Sequence, residues 1–227
     1  MCSQPKAMNT PVAILRMLPR PVKNFLIDLG DAVLTWLYSK RPTIPPPHAI
    51  KVRAVLDSAR RHNIQVLVET GTCLGETVRK CRRRFQRIYT IELSEQLAAE
   101  AARRLANYSH VQVLQGDTAD VLPQVVGQLD GPAVFWLDAH YSGGITARGP
   151  TECPLERELR AIASGGRADH VILIDDARLM GQGDFPSLER IIALARSINP
   201  DYRIEVRDDI VRCEPPPNPS GCGGAGA

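Results

Sequence analysis

The 227-residue sequence lacks a paired-cysteine motif, a long apolar run and a strong excess of either charge. Its six cysteines are scattered with no CxxC pair, so neither a zinc site nor a disulfide framework is predicted, and a reduced cytoplasmic chain is expected. The formal net charge of +3 does not by itself indicate a nucleic-acid or membrane partner. No stretch is long and apolar enough to span a bilayer, and the first residues do not resemble a secretory signal. With 44% hydrophobic residues, the chain is instead expected to fold around a packed core.

Apolar residues recur at helical spacing near the start of the chain, which predicts an amphipathic helix over residues 24–38. These residues are Leu26, Leu29, Val33, Leu34 and Leu37. Such a helix packs on the main domain, pairs two copies of the chain as a homodimer, or lies on a membrane surface, and the sequence leaves all three open. The proline-rich run "KRPTIPPPH" (40–48) cannot continue a helix and is interpreted as a linker. We therefore predict an N-terminal helical arm with its linker (1–47), a main domain (48–215) and a disordered tail (216–227).

Beyond the linker, apolar runs alternate regularly with helical patterns. Strands are predicted over 64–70, 87–93, 111–117, 133–140 and 170–177, and residues 202–215 predict a hairpin that turns at Asp208-Asp209. Short loops between strands and intervening helices indicate a parallel sheet that is covered on both faces. The predicted fold is an α/β, Rossmann-like, doubly wound sheet of seven mostly parallel strands, with a C-terminal antiparallel hairpin and an N-terminal helical arm.

The stretch "VETGTCLGETVRK" (68–80) joins the first predicted strand to a helix through two glycines four residues apart. In an open parallel sheet, ligands bind outside the carboxyl ends of the strands, and glycine lets a ligand approach the backbone. The loop lacks the GxxxxGK[ST] spacing of a phosphate-binding loop, and Glu76 would repel a phosphate. It also lacks the GxGxxG pattern of a dinucleotide site. The pattern therefore favours a nucleoside cofactor without a phosphate.

Acidic residues lie at the ends of four successive predicted strands, at Glu69, Glu92, Asp117 and Asp138. A carboxylate after the second strand can accept hydrogen bonds from both ribose hydroxyls, and this is the role predicted for Glu92. Asp117 is placed to meet the adenine edge. One such acid alone is typical of a solvated loop, but four along one edge of a sheet indicate a ligand site.

In their order and spacing, the residues E-x-G-x-x-x-G-x-T, I-E, G-D and LDAH resemble the class I S-adenosylmethionine-dependent methyltransferases, and within them the catechol-type and macrolide-sugar O-methyltransferases. The resemblance extends over residues 50–215 and implies methyl transfer from S-adenosylmethionine to a hydroxyl of a small molecule or sugar. It also implies a set of cofactor-binding residues: Glu69, Thr70, Gly71, Thr72, Gly75 and Thr77 in the loop, Glu92 at the ribose, Gly116, Asp117 and Thr118 at the adenine, and Asp138.

Asp138, Asp175 and Asp176 end the predicted fourth and fifth strands, which are expected to be neighbours. Three carboxylates that converge without a lysine or arginine beside them repel one another, and a hard divalent cation such as Mg²⁺ relieves that repulsion. The resembling O-methyltransferases have an acidic metal triad at these strand ends, so all three aspartates are predicted metal ligands. His140 is the predicted base that removes the acceptor proton, with Asp138 as its catalytic neighbour. The alternative for His140 is an ordinary hydrogen-bonded loop histidine.

The densest basic run, "RKCRRRFQR" (79–87), is interpreted as the solvated end of the first core helix, where cations complement the helix dipole. Contact with RNA or DNA is the alternative. The sequence argues against base amino-methylation, because "DAHY" stands where that chemistry uses [DN]PP[YF]. Two other functions stay open: an NAD-dependent oxidoreductase on a similar sheet, and a non-catalytic nucleotide-binding or assembly module that uses the N-terminal arm. The preferred prediction is a methyltransferase with a small-molecule acceptor.

Overall fold

The computed structural model describes residues 20–138 and 153–216, and the chain divides into two compact units, 1–49 and 50–227. The first unit contains helix α1 (Arg20–Lys40), so the helix predicted over 24–38 is confirmed and extends further at both ends. Large apolar side chains are 39% to 61% exposed along this helix, namely those of Val22, Leu26, Leu29, Val33, Leu34, Trp36 and Leu37. None of the helices in the described ranges combines the length and apolar character that a membrane crossing requires.

The second unit is an alternation of strands and helices that follows the predicted order. Its strands are β1 (Val66–Thr70), β2 (Arg87–Glu92), β3 (Val111–Gln115), β4 (Ala133–Leu137), β5 (Val171–Ile174), β6 (Arg203–Arg207) and β7 (Ile210–Glu214). Its helices are α2 (His48–Arg61), which begins in the first unit, α3 (Glu76–Cys81), α4 (Glu95–Leu105), α5 (Thr118–Val126), α6 (Leu155–Ser164) and α7 (Leu188–Ile198). A short 3₁₀ helix, Ala177–Leu179, follows β5.

The seven strands form one sheet in the order β3-β2-β1-β4-β5-β7-β6. Strands β1 to β5 are parallel, whereas β7 runs antiparallel to β5 and pairs with β6 in the predicted hairpin. The hairpin turns at Asp208 and Asp209, which both have positive φ. The strand order reverses between β1 and β4, and this is the switch point at which open α/β sheets bind ligands. The predicted fold class is therefore confirmed.

Both faces of the sheet are covered, because successive residues of each strand point to opposite sides. In β4, Phe135 packs in one buried cluster with apolar residues of α5, α6 and α7. Its neighbours Val134 and Trp136 pack in a second cluster with residues of α2, α3 and α4. Burial of these two apolar layers is the main favourable contribution to folding.

Helix α3 is shorter than predicted, and this changes the interpretation of the basic run. The helix ends at Cys81, and the following turn places Phe85 in the buried core. Arg82 lies over the ring of Tyr108 at 4.8 Å, and Arg84 donates a hydrogen bond to a backbone carbonyl of α2 at 2.6 Å. Arg82 and Arg84 thus contact the protein surface beyond α3, whereas Arg79 and Lys80 lie in the last turn of the helix, where cations complement the helix dipole as predicted.

Candidate functional site

The carboxyl ends of the parallel strands are held in line by backbone hydrogen bonds just beyond the strands. In each bond, of 2.9 to 3.2 Å, a backbone N–H donates to a backbone carbonyl oxygen of the neighbouring strand. The donor and acceptor residues are Gly71 and Ile91, Gly116 and Glu92, Asp138 and Thr70, and Asp175 and Leu137. The Thr70 hydroxyl also accepts from the Asp138 N–H at 3.3 Å. Since each bond ties one strand end to its neighbour, the predicted acidic residues lie along one edge of the sheet.

The loop between β1 and α3 is shaped by Gly75 and anchored by Glu92. Gly75 has a φ of +72°, and a Cβ atom at this position would meet the Leu105 side chain at 3.0 Å. The Glu92 carboxylate accepts hydrogen bonds from the backbone N–H of Cys73 at 2.7 Å and of Ser94 at 2.9 Å. Each carboxylate oxygen can accept a second hydrogen bond. The residue predicted to hold a ribose therefore also fixes the glycine loop and keeps acceptor capacity.

A buried polar chain joins Glu69 to the same loop. Thr90 Oγ1 donates to Glu69 Oε2 at 2.6 Å, and Thr72 Oγ1 lies 2.6 Å from Thr90 Oγ1. Burial raises the pKa of Glu69 to about 7, an effect that hydrogen bonds from Thr90 and Thr77 oppose and the charge of Glu92 reinforces. A cation beside Glu69 would therefore favour its ionised form.

The predicted adenine side lies between β3 and α5. Asp117 caps α5, because its Oδ1 accepts from the Ala119 N–H at 2.9 Å. Thr118 is 4% exposed, and its hydroxyl oxygen has no hydrogen-bond partner among the described residues. A buried hydroxyl without a partner costs free energy, so a ligand that bonds to Thr118 would be favoured.

Asp138, Asp175 and Asp176 converge as predicted, since one oxygen atom of each lies within 4.8 Å of the others. Asp175 is 2% exposed, and its Oδ1 has no hydrogen-bond partner in the described part of the chain. Asp176 has a φ of +54°, a left-handed conformation that aspartate tolerates better than most residues. Mg²⁺ binds oxygen ligands, and a buried carboxylate oxygen without a partner suits it. The three residues therefore fit a divalent cation.

The expectation that no lysine or arginine lies beside these acids is wrong. Lys51 of α2 pairs with Asp175, and its Nζ lies 3.4 Å from Asp176 Oδ1. Arg178 donates to Asp176 at 2.7 Å and also pairs with Asp209 in the hairpin turn. Lys51 lies in a helix before β1 and Arg178 in the 3₁₀ helix after β5, so the pattern of strand ends does not predict these cations. The protein itself therefore relieves part of the repulsion that led to the metal prediction.

The surrounding charges and burial shift the protonation of the cluster. Burial, then the charge of Asp175, raises the pKa of Asp138 well above its usual value, while Lys51 opposes the rise. Burial likewise raises the pKa of Asp175 against the opposing effect of Lys51. For Lys51, burial lowers the pKa, but the attraction and hydrogen bond of Asp175 outweigh it and the pKa is raised. Negative charge is thus crowded at this edge of the sheet even with Lys51 in place.

His140, the predicted base, lies outside the described residues, so its position stays a prediction. Two residues of the site that the sequence analysis did not single out are Lys51 and Thr90. Thr90 is a polar residue inside the buried strand β2, and Lys51 lies on the same helix face as the buried Val55 and Ser58. A polar residue in an apolar strand and a cation on an inward helix face are the signals that identify such residues.

The chain is similar to several solved structures of methyltransferases. The chain is similar to an O-methyltransferase from Bacillus cereus in complex with S-adenosylhomocysteine (TM-score 0.54, 16% identity, covering 81% of this chain and 89% of that one). It is also similar to a methyltransferase from Podospora anserina with bound S-adenosylhomocysteine (TM-score 0.51, 15% identity, covering 87% of this chain and 97% of that one). A third similar structure is a Staphylococcus aureus protein provisionally named a caffeoyl-CoA O-methyltransferase (TM-score 0.53, 15% identity, covering 84% of this chain and 98% of that one). The chain has the methyltransferase fold.

No protein-family model and no curated protein sequence matches the chain. At 15% to 16% identity, the similarity to solved methyltransferases establishes the fold, whereas function depends on the residues of the site. The methyltransferase fold places the switch point beside β1, where the glycine loop, Glu92 and the aspartate cluster lie.

Proposed function

We propose that this protein is an S-adenosylmethionine-dependent methyltransferase that methylates a hydroxyl group of a small molecule or sugar. The proposal depends on one observation: on a methyltransferase fold, the glycine loop, the buried Glu92 and the aspartate cluster lie along the same sheet edge. A dinucleotide-dependent oxidoreductase would need a different loop, since the sequence between Gly71 and Gly75 lacks the pattern that wraps a pyrophosphate.

Each part of the edge has a role in holding the cofactor. Glu92 accepts hydrogen bonds from the ribose hydroxyls. The Thr118 hydroxyl, which has no partner among the described residues, hydrogen-bonds at the adenine end, next to Asp117. The loop beneath the methionine portion of the cofactor consists of Thr70, Gly71, Thr72, Gly75 and Thr77. There the Glu69 carboxylate balances the positive charge of the cofactor. S-adenosylmethionine, when bound, supplies a methyl group on a positively charged sulfur.

The aspartate cluster forms the acceptor side of the proposed site. Asp138, Asp175 and Asp176 would hold a divalent cation, which lowers the pKa of a hydroxyl bound to it. We assign the removal of the acceptor proton to His140, with Asp138 as its neighbour along the chain.

The four cysteines in the described ranges are free thiols, which supports a reducing, cytoplasmic location.

Calorimetry with S-adenosylhomocysteine tests the cofactor assignment directly. We expect the full chain to bind S-adenosylhomocysteine and not NAD. Glu92→Gln should weaken binding by roughly 10- to 100-fold, because a hydrogen bond to a charged group contributes about 1.5 to 3 kcal/mol. The matched control is Glu95→Gln, an exposed acid three residues further along the chain, which should bind as the wild type does. Binding of NAD alone would contradict the proposal.

Methyl transfer to a panel of hydroxylated acceptors then separates an enzyme from a non-catalytic module. We expect methylated product from at least one phenolic or sugar acceptor, with the rate increased by Mg²⁺ and decreased by EDTA. Retained S-adenosylhomocysteine binding without transfer to any acceptor would favour the non-catalytic module. Transfer that is insensitive to EDTA would remove the metal from the proposal and leave the methyltransferase assignment intact.

A further inference from the structure

The aspartate cluster already contains a positive charge supplied by the protein. Lys51 reaches it from α2, with its ammonium paired to Asp175 and 3.4 Å from Asp176 Oδ1, and its side chain is only 16% exposed. The two partners are separated from Lys51 by more than one hundred residues of sequence. The contact is therefore set by the packing of α2 on the sheet and not by local chain geometry.

Lys51 does not satisfy the whole cluster. It bonds to Oδ2 of Asp175, while Oδ1 of the same carboxylate is buried and has no partner among the described residues. The Arg178 guanidinium pairs with both Asp176 and Asp209. In the described part of the chain, Lys51 and Arg178 thus leave one buried oxygen of Asp175 available to a further cation.

We propose that Lys51 is the resident cation of this site and competes with a divalent metal ion for Asp175 and Asp176. A metal ion bound to these oxygens would lie within a few ångströms of the ammonium, and like charges at that distance repel strongly in a partly buried site. A metal ion therefore binds either after the Lys51 ammonium moves away from the aspartates or, with the ammonium in place, at a lower affinity. The proposal deepens the proposed function, because it makes metal assistance of methyl transfer depend on the position of the Lys51 ammonium.

Titration with Mn²⁺ alone tests the competition without any need for methyl transfer. The full chain is compared with Lys51→Met, Lys51→Gln and the control Arg53→Met, in which the same helix loses an exposed positive charge. We expect both Lys51 variants to bind Mn²⁺ at least about tenfold more tightly than the wild type, because the repulsion is gone. Arg53→Met should stay within about twofold of the wild type, because solvent screens its charge.

Thermal unfolding gives a second measurement on the same variants. Without metal, the Lys51 variants should unfold at a lower temperature than the wild type, since the buried carboxylates lose their partner. Added Mn²⁺ should raise their unfolding temperature more than that of the wild type. Lys51→Gln keeps a hydrogen-bond donor for Asp175 and serves as the test protein where Lys51→Met does not fold.

Equal or weaker Mn²⁺ binding by the Lys51 variants, or no binding by any of the proteins, would overturn the proposal. Weaker binding would mean that Lys51 positions the aspartates for the metal. Titration of each variant with S-adenosylhomocysteine reports separately on the cofactor side. Failure of the wild type to bind S-adenosylhomocysteine would count against the methyltransferase assignment, whatever the Mn²⁺ result.

Discussion

At the scale of single residues, the most informative side chains are buried groups whose charge state the fold controls. Glu69 lies in β1 with its carboxylate bonded to Thr90, and its pKa is raised to about 7. His170 is fully buried just before β5, where its Nδ1 accepts a hydrogen bond from the Ala133 N–H at 3.1 Å and its Nε2 has no partner in the described ranges. Burial lowers the pKa of His170 to about 4. The two residues make stability depend on pH in opposite directions.

Glu69→Gln should reduce the decrease in the free energy of unfolding that the wild type shows as pH rises to neutral and alkaline values. The folded state holds the Glu69 proton up to pH 7, whereas the unfolded chain releases it near 4.5, so stability falls as pH rises through this window. The difference corresponds to roughly 3 kcal/mol at most. Urea unfolding at pH 5 and pH 8 should show a smaller decrease for Glu69→Gln than for the wild type. The exposed Glu95→Gln is the control, and parallel pH curves for all three proteins would contradict the prediction.

His170→Asn should remove a loss of stability in acid. The unfolded chain binds a proton at His170 near pH 6.5, but the folded state resists protonation until about pH 4, so stability falls as pH decreases through this range. The full effect is again roughly 3 kcal/mol. Asparagine keeps an acceptor for the Ala133 N–H and does not titrate. Thermal unfolding between pH 7 and pH 4 should decline less steeply in His170→Asn, while His110→Asn, on a less buried ring, should follow the wild type.

At the scale of secondary-structure elements, the junction between β3 and α5 depends on a residue without a side chain. Gly116 has a φ of +148°, and a Cβ atom there would lie 2.7 Å from a methyl group of Val121. Since α5 begins at Thr118, any movement at Gly116 displaces the cap residue Asp117 and the adenine side of the proposed site. The glycine predicted to contact the cofactor therefore also has a structural role.

Gly116→Ala should destabilise the protein by about 1 to 3 kcal/mol, because the added methyl group meets Val121 in a backbone conformation that alanine rarely adopts. Val121→Ala in the same chain should restore part of the loss, whereas on its own it should be mildly destabilising. Gly131→Ala is the control, since a Cβ atom there has no neighbour within 4 Å. Urea unfolding of the four variants measures the coupling. Additive effects of Gly116→Ala and Val121→Ala would show that the contact is unimportant.

The sequence predicts the sheet well because the strands are buried, β-branched runs that end in glycine or an acid. The turn of the hairpin at Asp208-Asp209 is also predicted correctly. The end of α3 is not, because the burial of Phe85 overrides the local helical pattern. Lys51 was missed because its contact with the aspartates depends on how α2 packs, which no spacing rule along the chain reports.

At the scale of the whole molecule, helix α1 presents an unusual apolar face. Val22, Leu26, Leu29, Val33 and Trp36 are exposed and separated by alternating steps of four and three residues, the spacing at which two helices pair. Helices that lie on membranes carry lysine and arginine on the opposite side. In α1 that side includes Asp31. The helix therefore favours a second copy of the chain over an anionic membrane surface.

We expect the full chain to be a homodimer that forms through α1. Leu29→Glu and Val33→Glu should each shift it to a monomer, because a carboxylate in the centre of a 21-residue helix pair must be desolvated. Ala32→Glu, an exposed neighbour on the flank of the helix, adds the same charge outside the apolar stripe and should leave the dimer intact. Sedimentation over a range of concentrations measures the change. A wild type that is monomeric and floats with anionic vesicles would instead identify α1 as a membrane-binding helix. In that case burial of its exposed apolar residues in the membrane, and not in a dimer, would provide the favourable free energy.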